Sequence, residues 1–147
     1  MSLSETLKKG PIVIIEDDID EHLLLEEVFS QLKTPNQRIY FTKGSNVLDY
    51  LKTTNQTPFL IISDIRLQIE NGIELKKQID QNPLLREKSI PFVFMSTLPP
   101  KEIVKKAYTE LTIQGVFTKP NDFNKLKDMF ALLVQYWTIC EHPEPSL

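Results

Sequence analysis

Short apolar runs alternate with amphipathic stretches along the whole chain, and that alternation predicts its elements. Ile12-Val13-Ile14-Ile15 follows Gly10-Pro11 and is β-branched throughout, which predicts a first buried strand. Glu16-Asp17-Asp18 stands at its carboxyl end. Asp18 with Glu21 three residues on predicts a capping box, and Leu23, Leu24, Val28, Phe29 and Leu32 give the helix its apolar face before Pro35 closes it. Arg38 to Phe41 reads as a second strand, and Gly44-Ser45 leads into a helix carrying Val47, Leu48 and Leu51. The run Phe59-Leu60-Ile61-Ile62-Ser63-Asp64, bounded by Thr57-Pro58, predicts a third strand buried on both faces and ending in a carboxylate.

Beyond Asp64 the pattern predicts an irregular loop to Gly72 and a helix over Ile73 to Ile79, stopped near Asn82-Pro83. Leu84 to Ser89 shows no period and reads as irregular. Pro91 to Met95 predicts the fourth strand, ending at Ser96-Thr97. Pro99-Pro100 can occupy a first helical turn, where missing N–H groups cost nothing, and Ile103, Val104, Ala107 and Tyr108 continue that helix. Gly115 to Thr118 predicts the fifth strand, ending at Lys119-Pro120. A last helix runs from about Asn121, with Phe123, Leu126, Met129, Phe130, Leu133 and Trp137 inward. Strand followed by helix, five times over, predicts an α/β fold: a doubly wound five-stranded parallel sheet with helices on both faces.

Composition narrows the function classes without choosing one. The chain has 147 residues, 41% hydrophobic and 25% charged, which suits one domain with one core. We expect that domain over residues 11–140, between a flexible segment at 1–10 and a disordered tail at 141–147. No apolar run approaches the ~20 residues needed to span a bilayer, so no membrane partner is expected. Met1 to Gly10 lacks the apolar run of a secretory signal, and a single cysteine, Cys140, rules out an internal disulfide; both suit the cytoplasm. A net charge of −3 with mixed signs leaves no electrostatic footprint for nucleic acid.

The candidate chemistry lies at the carboxyl ends of the predicted strands, where doubly wound sheets gather ligands: Glu16, Asp17, Asp64, Ser96 and Lys119. Carboxylates that converge repel one another and need a cation to stay ionised together. Their hard oxygens suit Mg²⁺. A lysine and a hydroxyl nearby would bind phosphoryl oxygens, and a carboxylate nucleophile completes an aspartyl-phosphate site. Singly, each residue has a duller reading. Asp18 is a helix cap, Glu16 or Asp17 a rim carboxylate, Ser96 a turn residue and Lys119 a solvated cation. His22 and His142 have no partner at metal-ligand spacing, and Tyr136-Trp137 reads as core or interface.

Jointly, these residues resemble the receiver domain of two-component response regulators, which has a flavodoxin-like fold. The resemblance rests on Ile14-Ile15-Glu16-Asp17-Asp18, Ile62-Ser63-Asp64, Gly72 eight positions after Asp64, Met95-Ser96-Thr97 and Thr118-Lys119-Pro120, in that order over Gly10 to Cys140. Within the family the chain is similar to stand-alone regulators of the phytochrome-associated type, through Asn82-Pro83-Leu84, Ser96-Thr97 and Tyr136-Trp137. The resemblance implies Asp64 as phosphoacceptor and Mg²⁺ as cofactor. Asp17 would be a direct Mg²⁺ ligand, Glu16 would act through water, and the backbone carbonyl of Arg66 would complete the protein ligands. It further implies Ser96 as the switch hydroxyl, Lys119 as the ion-pair partner of the phosphoryl group, and a cis Lys119-Pro120 bond. Two positions depart from the family. Val116 stands where an aromatic switch residue is usual, with Phe117 directed to the other face by strand alternation, and Gln68 replaces a common proline.

The expected function is thus a single-domain response regulator, phosphorylated on Asp64 by a sensor histidine kinase or phosphotransfer protein, turning over no outside substrate. With no effector domain in the sequence, its output is expected through a downstream protein target or a homodimer, by the fifth strand and last two helices. A phosphorylation-independent pseudo-receiver of the same fold is the alternative, and loss of the acidic pair, the acceptor or the lysine would mark it; all are present. A haloacid-dehalogenase-like phosphatase would want Asp-x-Asp directly after the first strand. Asp18-Ile19-Asp20 has that spelling but runs into a helix, and the chain lacks room for that family's cap.

Overall fold

The computed structural model describes residues 10–66 and 71–143. Its strands are β1 (Ile12–Ile15), β2 (Arg38–Phe41), β3 (Leu60–Asp64), β4 (Phe92–Ser96) and β5 (Gly115–Thr118). Its helices are α1 (Ile19–Gln31), α2 (Gly44–Thr53), α3 (Gly72–Gln81), α4 (Pro83–Lys88), α5 (Lys101–Glu110) and α6 (Phe123–Ile139). Every strand pairing is parallel and the order is β2-β1-β3-β4-β5, the doubly wound sheet the alternation predicts.

Strand alternation divides the core into two layers. Ile12, Ile14, Leu60, Ile62, Val93 and Met95 pack under α1 and α6 through Leu25, Val28, Phe29, Leu126, Phe130 and Leu133. Phe29 and Phe130 place their ring centroids 5.2 Å apart and join those two helices. On the other face Val13, Ile15, Ile61, Phe92 and Phe94 meet α2 to α5 through residues such as Val47, Leu51, Ile79 and Ala107. Val116 packs on this second face and Phe117 on the first, as alternation requires.

Five local expectations are corrected. The stretch read as irregular at 84–89 holds α4, a helix too short to show a period. Asn82 Oδ1 accepts from the N–H groups of Leu84 (3.0 Å) and Leu85 (3.2 Å), with Pro83 opening the first turn. Pro100 lies just outside α5, at its N-cap position, and α6 starts after the Asp122 cap, with Asn124 N donating to Asp122 Oδ1 at 2.8 Å. The first helix ends at Gln31, before Pro35, because Lys33 turns left-handed (φ 54°) and Thr34 N donates to Phe29 O. Among the described residues no peptide bond is cis, so Lys119–Pro120 is trans, the isomer favoured by about 0.5–1 kcal/mol before proline.

Of the expected disordered tail, Glu141 to Pro143 are described, and His142 stacks on Phe59 with centroids 5.1 Å apart and donates to Trp137 O. The remainder at 144–147, the expected flexible start at 1–9, and Gln68 lie outside the described residues. Among the described residues no helix is long and apolar enough to cross a membrane.

Candidate functional site

The strand order reverses direction between β1 and β3, since α1 leaves over one face and α3 over the other. That reversal opens a crevice beyond their carboxyl ends. Register sets what lines it. Ile15 pairs with Ser63, Asp64 with Met95, and Ser96 with Thr118, so Glu16-Asp17, Asp64, Ser96 and Lys119 fall along one edge of the sheet.

Glu16, Asp17 and Asp64 come together at this edge. Burial pushes the Glu16 carboxyl up to about 8, reinforced by its hydrogen bond with Asp64, by the Asp64 charge and by a hydrogen bond with Asp17; the Asp18 N–H opposes the shift. Burial and the two neighbouring carboxyl groups thus disfavour the charged form of Glu16. Among the described residues no three His, Cys, Asp or Glu side chains form a ready ligand cage. The donor set nonetheless fits a hard cation of the Mg²⁺ kind, which takes one or two carboxylates and keeps waters or phosphate oxygens for the rest.

The backbone around Asp64 is tightly specified. Arg66 N donates to Asp64 Oδ1 at 2.9 Å and orients the carboxylate. Arg66 bridges Asn71 in antiparallel fashion, and Gly72 N donates to Ile65 O at 3.1 Å, drawing the start of α3 onto the end of β3. A Cβ on Gly72 would lie 2.6 Å from Asp64 O and 3.0 Å from the Phe94 ring, so only glycine allows this approach.

On the far side of the crevice, Ser96 is buried and, among the described residues, its hydroxyl reaches only Thr97 O at 3.5 Å. Ser96 O accepts from Lys119 N at 2.9 Å, which holds the ends of β4 and β5 together. The Lys119 side chain is largely buried. Burial lowers its pKa, while the charges of Glu16 and Asp18 raise it.

Two residues that the sequence reading gave no part in the site also reach it. Glu21, expected to close a capping box with Asp18, instead pairs with Lys119 Nζ. The Asp18 N–H it would have capped is taken by Glu16 Oε1 at 3.1 Å, while Asp18 itself caps Asp20 N as expected. His22 Nε2 donates to Glu16 O at 2.6 Å; a carbonyl only accepts, so this nitrogen carries the proton. Its ring lies 5.1 Å from Tyr40. The spacing of Glu21 and Lys119, nearly a hundred residues apart, carries no sequence signal.

A parallel sheet of this order, with acidic residues after β1, an aspartate closing β3 and a lysine after β5, is the architecture of a signalling receiver domain. The sequence model described as response regulator receiver domain matches residues 12–131, and the chain belongs to that family. A curated relative, response regulator Rcp1 of Synechocystis sp., is 27% identical over 131 residues, spanning 86% of this chain and 87% of its own. The manganese-bound structure of Rcp1 aligns with a TM-score of 0.76 at 26% identity, over 91% of this chain and 99% of that one. The phosphorylated cyanobacterial phytochrome response regulator RcpA shares the fold at a TM-score of 0.80, with 22% identity over 92% of this chain and 99% of its own.

Proposed function

We propose that this receiver domain accepts a phosphoryl group on Asp64 from a histidine kinase or phosphotransfer protein in a Mg²⁺-dependent reaction. The observation that carries the proposal is the crevice itself: three carboxyl groups drawn together, with the Glu16 pKa raised by burial and by its neighbours, and a largely buried lysine and a weakly engaged buried hydroxyl beside them. Asp17, Asp64 and the Arg66 carbonyl would hold the cation, with Glu16 acting through water. The cation, when bound, neutralises charge on the transferred oxygens. An Asp64 oxygen, oriented by Arg66 N–H, attacks phosphorus; the P–N bond to the donor histidine breaks and the leaving nitrogen takes up a proton. Lys119 exchanges its present partner for a phosphoryl oxygen, and the Ser96 hydroxyl turns from Thr97 O to another. The histidine donor keeps this chain a signalling protein of the cytoplasm, with no outside substrate turned over.

The output is read by a protein. Ile19, Leu23 and Leu98 are exposed and suit a docking partner. At the opposite pole, β5 and α6 border an apolar cleft of about 870 Å³ lined by Phe117, Met129, Leu133, Tyr136, Trp137 and Ile139. This cleft supports the β5 and α6 part of a homodimer through the fifth strand and last two helices. Sedimentation at high concentration, with and without phosphorylation, checks that point, and a monomer in both states counts against it.

Intact mass after incubation with acetyl phosphate or phosphoramidate tests the phosphorylation reading. The expected result is one phosphoryl adduct with Mg²⁺, none with EDTA and none in Asp64→Asn. An unmodified mass under every condition would favour the pseudo-receiver.

A further inference from the structure

We propose that Glu21 is a positioning residue: it occupies Lys119 until a phosphoryl group arrives, and so sets the concentration of donor at which the domain is phosphorylated. The inference deepens the phosphoacceptor reading and rests on it for the role of Lys119.

The geometry begins with α1. Glu21 sits in its first turn, where a carboxylate meets the positive end of the helix dipole, and the usual task of an acid at this position is to accept from the N-cap N–H. Here that N–H is already taken by Glu16. Glu21 is thereby free to reach across the crevice to Lys119 Nζ, with side-chain exposures of 28% for Glu21 and 15% for Lys119. A lysine this buried is costly to keep charged without a partner. Glu21 is the carboxylate in contact with the ammonium.

Glu21 and an incoming phosphoryl group want the same three ammonium donors. The phosphoryl group carries close to two negative charges, against one on Glu21, and wins the exchange. The energy of the Glu21–Lys119 pair is nevertheless subtracted from donor binding, because it must be broken first. Removing the Glu21 charge should therefore strengthen the grip of Lys119 on any phosphate-like anion, while the Asp64 nucleophile and its orienting Arg66 N–H are unchanged.

The test compares the intact chain with Glu21→Gln and Glu21→Asp. Phosphorylation by acetyl phosphate with Mg²⁺, followed by intact mass, is expected to half-saturate at a donor concentration several-fold lower in Glu21→Gln, with a similar maximal rate. Glu21→Asp restores the charge and should return toward the wild-type value. An unchanged or raised half-saturation in Glu21→Gln would overturn the proposal; a purely structural Glu21 would shift the unfolding midpoint and leave half-saturation alone. Inorganic phosphate, titrated against the amide signals of Thr118 and Lys119, gives a readout that needs no covalent step. If wild type forms no adduct yet phosphate binds Glu21→Gln several-fold more tightly, the phosphoacceptor reading fails while the positioning role stands. If adduct forms normally and phosphate affinity is equal in all three chains, the positioning role fails alone.

Discussion

The Val116 amide donates to the hydroxyl of Tyr108 at 2.9 Å, joining the outer edge of β5 to the last turns of α5. Ile103 of that helix packs, partly buried, against the core. Ala107 is its one buried residue, and an ion pair from Glu110 to Lys77 at 3.7 Å is largely solvated. An edge strand presents unpaired N–H groups, and Tyr108 covers one of them. The position that commonly carries an aromatic in this family is Val116, so the aromatic group at this joint comes from the neighbouring helix.

Tyr108→Phe should therefore loosen α5 without touching the crevice. Loss of one hydrogen bond to a half-exposed hydroxyl is expected to cost about 0.5–1.5 kcal/mol. Amide hydrogen exchange checks it: the Val116 N–H should exchange faster in the variant, while amides of β1 and β3 keep their protection. Adduct formation on Asp64 should be unaffected.

Gly72→Ala makes the opposite prediction. A methyl group at 2.6 Å from Asp64 O cannot be absorbed by a flexible side chain, since the atom it meets is backbone and the Phe94 ring stands behind it. Overpacking of this kind costs about 1–3 kcal/mol. The shift also moves Asp64 away from the Arg66 N–H. We expect a lower urea midpoint together with slower phosphorylation, and an alanine variant with wild-type phosphorylation would show that the approach of α3 to β3 does not set the acceptor.

These two sites show where the sequence was legible. The apolar runs at Ile12, Leu60 and Phe92 specify strands because only buried parallel strands need them, and each strand then carries its terminal polar residue to the same edge. Gly72 was visible as a residue of the family pattern, while its reason, the Asp64 carbonyl, is tertiary. α4 escaped notice because a helix of six residues has less than two turns in which to show a period. The end of α1 escaped because Lys33 adopts the left-handed conformation that usually announces itself as glycine. The local pattern of Glu21 points to a cap, because its partner Lys119, just past the end of β5, leaves no trace near it in the sequence.

A third prediction concerns the amino end of the sheet, away from the crevice. Lys76 Nζ lies 2.8 Å from Asp80 Oδ1 and 3.1 Å from the Thr112 hydroxyl, with its ammonium 5.2 Å from the Phe92 ring centroid. Burial lowers the Lys76 pKa, opposed by Asp80. Burial alone would raise Asp80, but hydrogen bonds from Lys76 and from the hydroxyl and N–H of Thr112 hold it below the usual carboxylate range. Breaking such a pair from one side strands a buried charge, at a cost of about 3–5 kcal/mol, whereas replacing both partners by apolar groups can be neutral. Asp80→Leu should therefore destabilise strongly, and Lys76→Met with Asp80→Leu should recover most of the loss in urea denaturation. A double variant no more stable than Asp80→Leu alone would contradict this account.

The last prediction follows from the proton on Glu16. Its carboxyl is raised to about 8 in the folded chain, against 4.5 as its ordinary value, first by burial and then by Asp64. A carboxyl raised on folding binds its proton more tightly in the folded state, so its stabilising contribution is full below pH 4.5 and is lost as pH climbs through 8. Without divalent cations, stability should fall between about pH 5 and pH 8 through this group, leaving three carboxylates that repel. A cation reverses the sign, because it requires the deprotonated site and competes with the proton. Mg²⁺ affinity should rise with pH over the same window and level off above it, and saturating Mg²⁺ should flatten the decline in unfolding midpoint. Glu16→Gln keeps the size of the side chain and removes the titration, so its stability and Mg²⁺ affinity should be nearly level from pH 5 to 8. Titration calorimetry with Mg²⁺, run beside thermal unfolding across that range, measures both slopes. A Glu16→Gln variant with the full wild-type pH dependence would place the controlling proton elsewhere in the crevice.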